Sequence, residues 1–228
     1  MNETPDFIPA DENQFVIWFF GVYTKYLAKI RFRNVYIQQD YQPEKNKSTL
    51  FYGNHSSWWD ALTPLILNNY RFKQNARAVM EEPQVRRYGF FKKIGCFSID
   101  RNDPRKALKS LAYGIDWLHG ENNSLYLYPE GKLGNPSVSP EQISFEQGIG
   151  WMSTRLDPDK VDIVPLTQHI HLMHDHKPTL FIHIGKPVQL TTDGKKERTL
   201  EFESILKAQM KELIRKASEK EPGFDKWL

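Results

Sequence analysis

The sequence has little cysteine: Cys96 is the only one in 228 residues. That excludes an intramolecular disulfide and a zinc site built on several thiolates. Long hydrophobic runs are also missing, since no stretch reaches the roughly 18–20 apolar residues of a membrane-spanning helix. The first fourteen residues are polar and acidic and carry no signal-peptide pattern. A reducing, cytosolic setting is therefore expected. There is no internal repeat and no low-complexity tract. The formal net charge is only +3 at pH 7, too small to argue for nucleic acid.

What is present fits one large domain. Apolar residues make up 39% and aromatics 13%, enough for a sizeable core. The charge is unevenly spread. Between Arg71 and Lys109, eleven Lys and Arg stand against four Asp and Glu. A basic centre of this kind suits an anionic partner such as a phosphate, a CoA-like group, an acidic carrier protein or a lipid head group. It suits a solvated basic face equally well.

Residues 15–32 (FVIWFFGVYTKYLAKIRF) read as a helix with an aromatic first half and trailing Lys25, Lys29 and Arg31. Rings at head-group depth with cations behind them are what an interfacial anchor needs. Residues 1–33 are therefore expected to be a membrane-surface helix and residues 34–228 the main domain. Strand-like segments at 34–38, 49–54, 76–81, 96–100, 124–130, 161–169 and 179–188 alternate with helical ones. The helical segments are 57–69, 83–95, 104–119, 145–156 and 198–219, with Asp103 and Pro104 opening the clearest of them. This alternation predicts an α/β fold with a mixed central sheet flanked by helices.

The chemistry is concentrated in the segment YGNHSSWWDA, residues 52–61. A strand ending near Asn54 and a helix starting near Ser57 would let Asp60 fold back onto His55. The carboxylate would hold one imidazole nitrogen as N–H and leave the other free as a base. Asn54 and Ser56 can fix the turn and cap the helix, while Trp58 and Trp59 supply apolar walls. One more absence matters here. No Gly-x-Ser-x-Gly elbow provides an enzyme nucleophile. A base and its orienter without a nucleophile suit acyl transfer in which the substrate brings the hydroxyl.

Three further segments accompany this pair. FSIDR (97–101) places Arg101, a phosphate-forking side chain, just before a helix. LYLYPEGKLG (125–134) ends a strand on Glu130, Gly131 and Lys132, and VDIVPL (161–166) ends on a proline-containing strand. In this order the four resemble the glycerolipid acyltransferase family of the lysophosphatidic-acid type, over roughly residues 49–190. The resemblance implies His55 and Asp60 as catalytic residues and Arg101, Glu130, Gly131 and Lys132 as substrate-binding ones. It implies an acyl-CoA or acyl-carrier-protein donor as co-substrate, a lipid acceptor, no metal and no other cofactor. It also implies a peripheral place at the cytoplasmic face of a membrane. Two departures lower the positive charge where a phosphate would bind. Lys132 and Leu133 stand where the family has Thr and Arg, and Glu146 stands where the family has Lys. A less anionic lipid or an amphipathic alcohol is the acceptor this suggests.

Rival readings remain at this level. A non-catalytic lipid- or carrier-binding module would keep the groove without needing the base, and a thioesterase-like hydrolase would use water. The histidines at 169, 171, 174 and 176, with His183, could hold a transition metal. The segment is expected instead to be an exposed polar connection between two strands.

Overall fold

The structure, a computed structural model, describes residues 7–134, 139–172, 176–219 and 223–228. Its centre is an eight-stranded mixed sheet formed by β1 (Val35–Gln39), β2 (Ser48–Gly53), β3 (Asn75–Glu81), β4 (Cys96–Ile99), β5 (Asn123–Leu127), β6 (Val161–His171), β7 (Thr179–Ile184) and β8 (Asp225–Lys226). The strand order is β4-β3-β5-β2-β6-β7-β1-β8. Pairing is parallel from β4 through to β6, antiparallel between β6 and β7, parallel between β7 and β1, and antiparallel at β8. The expected α/β architecture is thus present.

Side-chain alternation builds two core layers. In β2, Leu50 and Tyr52 enter one layer and Phe51 the other, and in β5 Leu125 and Leu127 oppose Tyr126 in the same way. Helices α5 (Pro104–Leu118), α6 (Gly148–Ser153) and α7 (Lys195–Glu219) cover the first layer through Leu111, Ile115, Met152, Phe202 and Leu206. On the opposite face lie α1 (Gln14–Arg31) and α2 (Trp59–Leu67). Small residues let these two approach each other. Gly21, Thr24 and Ala28 are the buried positions of α1, and a Cβ on Gly21 would collide with the Asn69 side chain.

Several elements differ from the sequence expectation. The helix expected over 83–95 is two short helices, α3 (Glu82–Arg87) and α4 (Phe90–Lys93). The chain leaves helical geometry at Tyr88, with φ −124° and ψ 77°, and Phe90 stacks on Phe20 of α1 at 4.8 Å. A tertiary aromatic contact decides the break. The helix expected over 57–69 ends its regular part at Leu67 and runs on as a π-helical turn to Phe72. Strand β8 had no periodic signal; it is held because Trp227 and Leu228 pack on the α1–α2 layer.

Candidate active site

His55 and Asp60 meet across the turn between β2 and α2. His55 Nδ1 lies 3.4 Å from Asp60 Oδ2. The carboxylate is 2% exposed and is held in place by the backbone. Its Oδ2 accepts from the amides of Ser56 at 2.6 Å and Ser57 at 2.7 Å. Asp60 is the second residue of α2, so it also lies where helix-end N–H groups favour a negative charge. The cap therefore differs from the expected one. Ser57 Oγ accepts from the Trp59 amide, while Asn54 donates to Ser56 Oγ within the turn and also bonds both backbone groups of Gln168, at 2.9 and 3.0 Å. Those two bonds fasten the end of β2 to β6 and fix where His55 begins.

Glu130 reaches the same histidine from another strand. It follows β5 in a turn closed by Gly131 N–H donating to the Tyr128 carbonyl, 3.0 Å. Its Oε1 accepts from the backbone amide of His55 at 2.8 Å. Burial pushes the Glu130 carboxyl above its ordinary range, and the His55 amide bond works against that rise. A nearby Lys132, exposed, lowers it further. Gly131 adopts φ +68°, and a Cβ there would stand 2.8–3.0 Å from the Nε, Cζ and Nη2 atoms of Arg101. The guanidinium of Arg101 thus lies flat against the turn that presents Glu130. His55, Arg101 and the Glu130–Lys132 turn follow the ends of β2, β4 and β5, and Asp60 meets them from the first turn of α2.

Three contributors were given no role at the site by the sequence, although Tyr128 lies in the third block and Glu146 at a family position. Tyr128 stacks its ring on the imidazole of His55, centroids 4.7 Å apart at 23°, and donates its hydroxyl to the backbone carbonyl of Asp60. Burial first, and the Asp60 charge second, hold that hydroxyl protonated. Glu81 and Glu146 flank Arg101, with Oε1 atoms at 2.9 Å from Nη1 and 3.8 Å from Nη2. For Glu81 the signal was positional only, since it ends β3, the parallel neighbour of β4.

The two tryptophans separate in role. Trp59 is a core residue, edge-on to Phe32 at 4.8 Å, whereas Trp58 is exposed. The expectation of two apolar walls is corrected for Trp59, which the close approach of α1 buries. Cys96 is buried, and burial pushes its thiol up to about 12, which leaves no thiolate for chemistry at neutral pH. A cavity of about 500 Å³ runs under α2 from Ala61, past Pro64 and Leu65, over Ala78 and Cys96.

The polar connection expected between the two strands is present but shorter: it starts after His171 and includes exposed His176. His169 and His171 belong to β6, paired with Phe181 and Thr179 of β7, with their rings 3.4 Å apart at Nε2 and Nδ1. His174 lies outside the described residues. Among the described residues no group of three or more His, Cys, Asp or Glu is arranged to hold a metal ion.

A family model for acyltransferases matches residues 30–168, which contain the whole site. Among solved structures, the fold is similar to that of the 1-acyl-sn-glycerophosphate (LPA) acyltransferase PlsC from Thermotoga maritima. The TM-score is 0.60 at 15% identity, covering 88% of this chain and 81% of that one. Comparison with curated protein sequences finds no match.

Proposed function

This chain belongs to the acyltransferase family, and from that premise we propose that it moves a fatty acyl group from a thioester, acyl-CoA or acyl-carrier protein, to the hydroxyl of a lipid acceptor. The observation that carries the reading is the His55–Asp60 pair, backed by Tyr128 and Glu130; among the described residues no serine or cysteine side chain is bonded to the His55 ring. His55 Nε2 takes the proton of the acceptor hydroxyl while Asp60 steadies the imidazolium. The new C–O bond forms at the thioester carbonyl and the C–S bond breaks. The proton then passes from His55 to the leaving sulfur. Arg101, Glu130, Gly131 and Lys132 form the acceptor side. The cavity beneath Ala61, lined by apolar side chains such as Ile17, Leu65 and Ile94 and by polar ones such as Asn69 and Gln74, is the space proposed for the acyl chain.

The same reading puts the enzyme on a membrane surface, peripherally and at the cytoplasmic face. No described helix is long and apolar enough to cross a membrane. Yet α1 presents Phe15, Trp18 and Phe19 at 70%, 59% and 51% exposure. Such a row of rings on one helix exceeds the scattered apolar exposure of ordinary surfaces. Exposed Tyr88 and Phe90 extend the row, with Lys25 and Lys29 beside it. Residues 1–33 and 34–228 then differ in role, although α1 is packed onto α2.

The test is to incubate purified protein with acyl-CoA or acyl-carrier protein and a panel of lysolipids, reading products by mass spectrometry. Acylated lipid is expected from the native protein and none from a folded His55→Ala variant. Transfer retained in that variant would sink the mechanism. Thioester cleavage at one rate with and without acceptor would instead mark a hydrolase.

A further inference from the structure

The acceptor side of the site is not simply cationic. Arg101 is its one guanidinium on the Glu130–Gly131 turn, and it is already engaged by two carboxylates. Glu81 Oε1 stands 2.9 Å from Nη1 and Glu146 Oε1 3.8 Å from Nη2. The main chain that carries each carboxylate is fixed. Glu81 is the last residue of β3 and pairs with Ile99 of β4, while the Glu146 amide donates to the Pro129 carbonyl at 2.9 Å. Glu146 is 71% exposed and faces the solvent side of the guanidinium. Arg101 with its two carboxylates sums to one negative charge.

A phosphate monoester brings roughly −1.5 to −2 charges at neutral pH. At Arg101 it would lie beside both carboxylates, and like charges brought together in this way are disfavoured. An ammonium group meets the opposite field: it is attracted to Glu146, whose carboxylate at 3.8 Å makes no hydrogen bond to Nη2, so that nitrogen can still donate to one anionic oxygen. Resting on the reading that this site acylates a lipid hydroxyl, we infer that the acceptor head group is zwitterionic, an ammonium beside a singly charged phosphodiester, with Glu146 taking the ammonium and Arg101 the phosphodiester. Glu146 is then the residue that sets acceptor specificity, and Glu81 keeps Arg101 from binding a dianion.

The experiment measures kcat/KM at saturating acyl-CoA for lysophosphatidylethanolamine, lysophosphatidic acid and monoacylglycerol of one chain length. It compares the native protein with Glu146→Lys, Glu146→Gln and Glu146→Asp. The native protein is expected to prefer lysophosphatidylethanolamine. Glu146→Lys should raise the ratio of lysophosphatidic acid to lysophosphatidylethanolamine by about tenfold or more, mainly through KM, which corresponds to one removed repulsion of roughly 1.4 kcal/mol. Glu146→Gln should fall between, and Glu146→Asp should keep the native preference. The exposed position of Glu146 makes misfolding of these variants no obstacle. A native preference for lysophosphatidic acid or monoacylglycerol overturns the inference while leaving acyl transfer in place. So does a ratio that Glu146→Lys does not move. Absence of transfer to all three acceptors from both acyl-CoA and acyl-carrier protein overturns the underlying function and this inference with it.

Discussion

Tyr128 lies flat on the imidazole of His55, ring centroids 4.7 Å apart, and bonds the main chain of Asp60 with its hydroxyl. One side chain thus grips both members of the pair, from the strand end that also delivers Glu130. Tyr128 touches no reacting atom in this arrangement, so it acts as a positioning residue. Tyr128→Phe keeps the stack and loses one hydrogen bond, so kcat should fall roughly 3- to 10-fold. Tyr128→Leu loses both contacts and lets the ring swing, which should lower kcat roughly 100-fold with the acceptor KM little changed. Steady-state kinetics of the two variants check this. Equal losses in both, or a loss confined to KM, would remove the positioning role.

Asp60 performs two tasks that can be separated. Its carboxylate receives the Ser56 and Ser57 amides and faces His55 Nδ1. Asparagine can still accept both amides through its carbonyl oxygen, but it brings no charge to an imidazolium. Asp60→Asn should therefore lower kcat by roughly 10²–10⁴-fold while unfolding near the native temperature. Asp60→Ala should also leave two buried donors unmet, at a cost of about 1–3 kcal/mol each. Paired thermal melts and rate measurements decide the matter. A Tm for Asp60→Asn as low as that of Asp60→Ala would show that charge, not amide acceptance, holds the turn.

Gly131 meets two demands at once. Its φ of +68° is disfavoured for other residues, and a Cβ would press on the Arg101 guanidinium at 2.8–3.0 Å. Gly131→Ala should cost about 1–2 kcal/mol of stability from backbone conformation alone. It should also raise the acceptor KM by pushing Arg101 from the turn. Urea denaturation and acceptor titration read the two effects separately. An unchanged KM would mean that Arg101 does not bind its ligand from this position.

The fold was legible where one physical signal dominated. Short apolar runs marked β2 and β5 as buried strands, and the Asp103 carboxylate does accept from the Arg105 and Lys106 amides at the start of α5. The meeting of His55 and Asp60 could also be anticipated, because a strand end followed by a helix start leaves few ways to place a five-residue spacing. What stayed hidden depends on neighbours remote in sequence. Nothing near Tyr128 announces that β5 lies beside β2, and so the stack on His55 was invisible. The same holds for Glu81, which reaches Arg101 only because β3 and β4 pair. The break at Tyr88 was hidden too, since Pro83 and Gly95 frame a helix that the Phe20–Phe90 stack interrupts.

The exposed face of α1 makes a quantitative prediction. Phe15, Trp18 and Phe19 contribute nothing to the core clusters, so removing them should spare the fold. Burying an aromatic or large aliphatic side chain in an apolar phase is worth roughly 1.5–3 kcal/mol. Trp18→Ser combined with Phe19→Ser should weaken binding to anionic vesicles by about 100-fold or more. Circular dichroism should not change. Co-sedimentation over a lipid titration gives the partition constant. Undiminished binding by a folded double variant would rule out α1 as the membrane contact.

The histidine pair on β6 sets an acid limit on stability. Burial, and then the neighbouring His171, lower His169 from 6.5 to about 4. Burial also lowers His183, against the pull of its 2.8 Å contact with Asp40. Both are groups whose charged form the fold disfavours, so the unfolded chain binds more protons than the native one. Stability rises with pH wherever that is true. The contribution of His169 should therefore be complete above pH 6.5 and be lost as pH falls from 6.5 through about 4. Urea midpoints for the native protein should drop across this window. In His169→Gln the drop should be shallower, because glutamine takes up no proton. His183 remains in that variant, so some slope should persist. A His169→Gln curve parallel to the native one at every pH would show that His169 ionises as freely in the folded protein as in the unfolded chain.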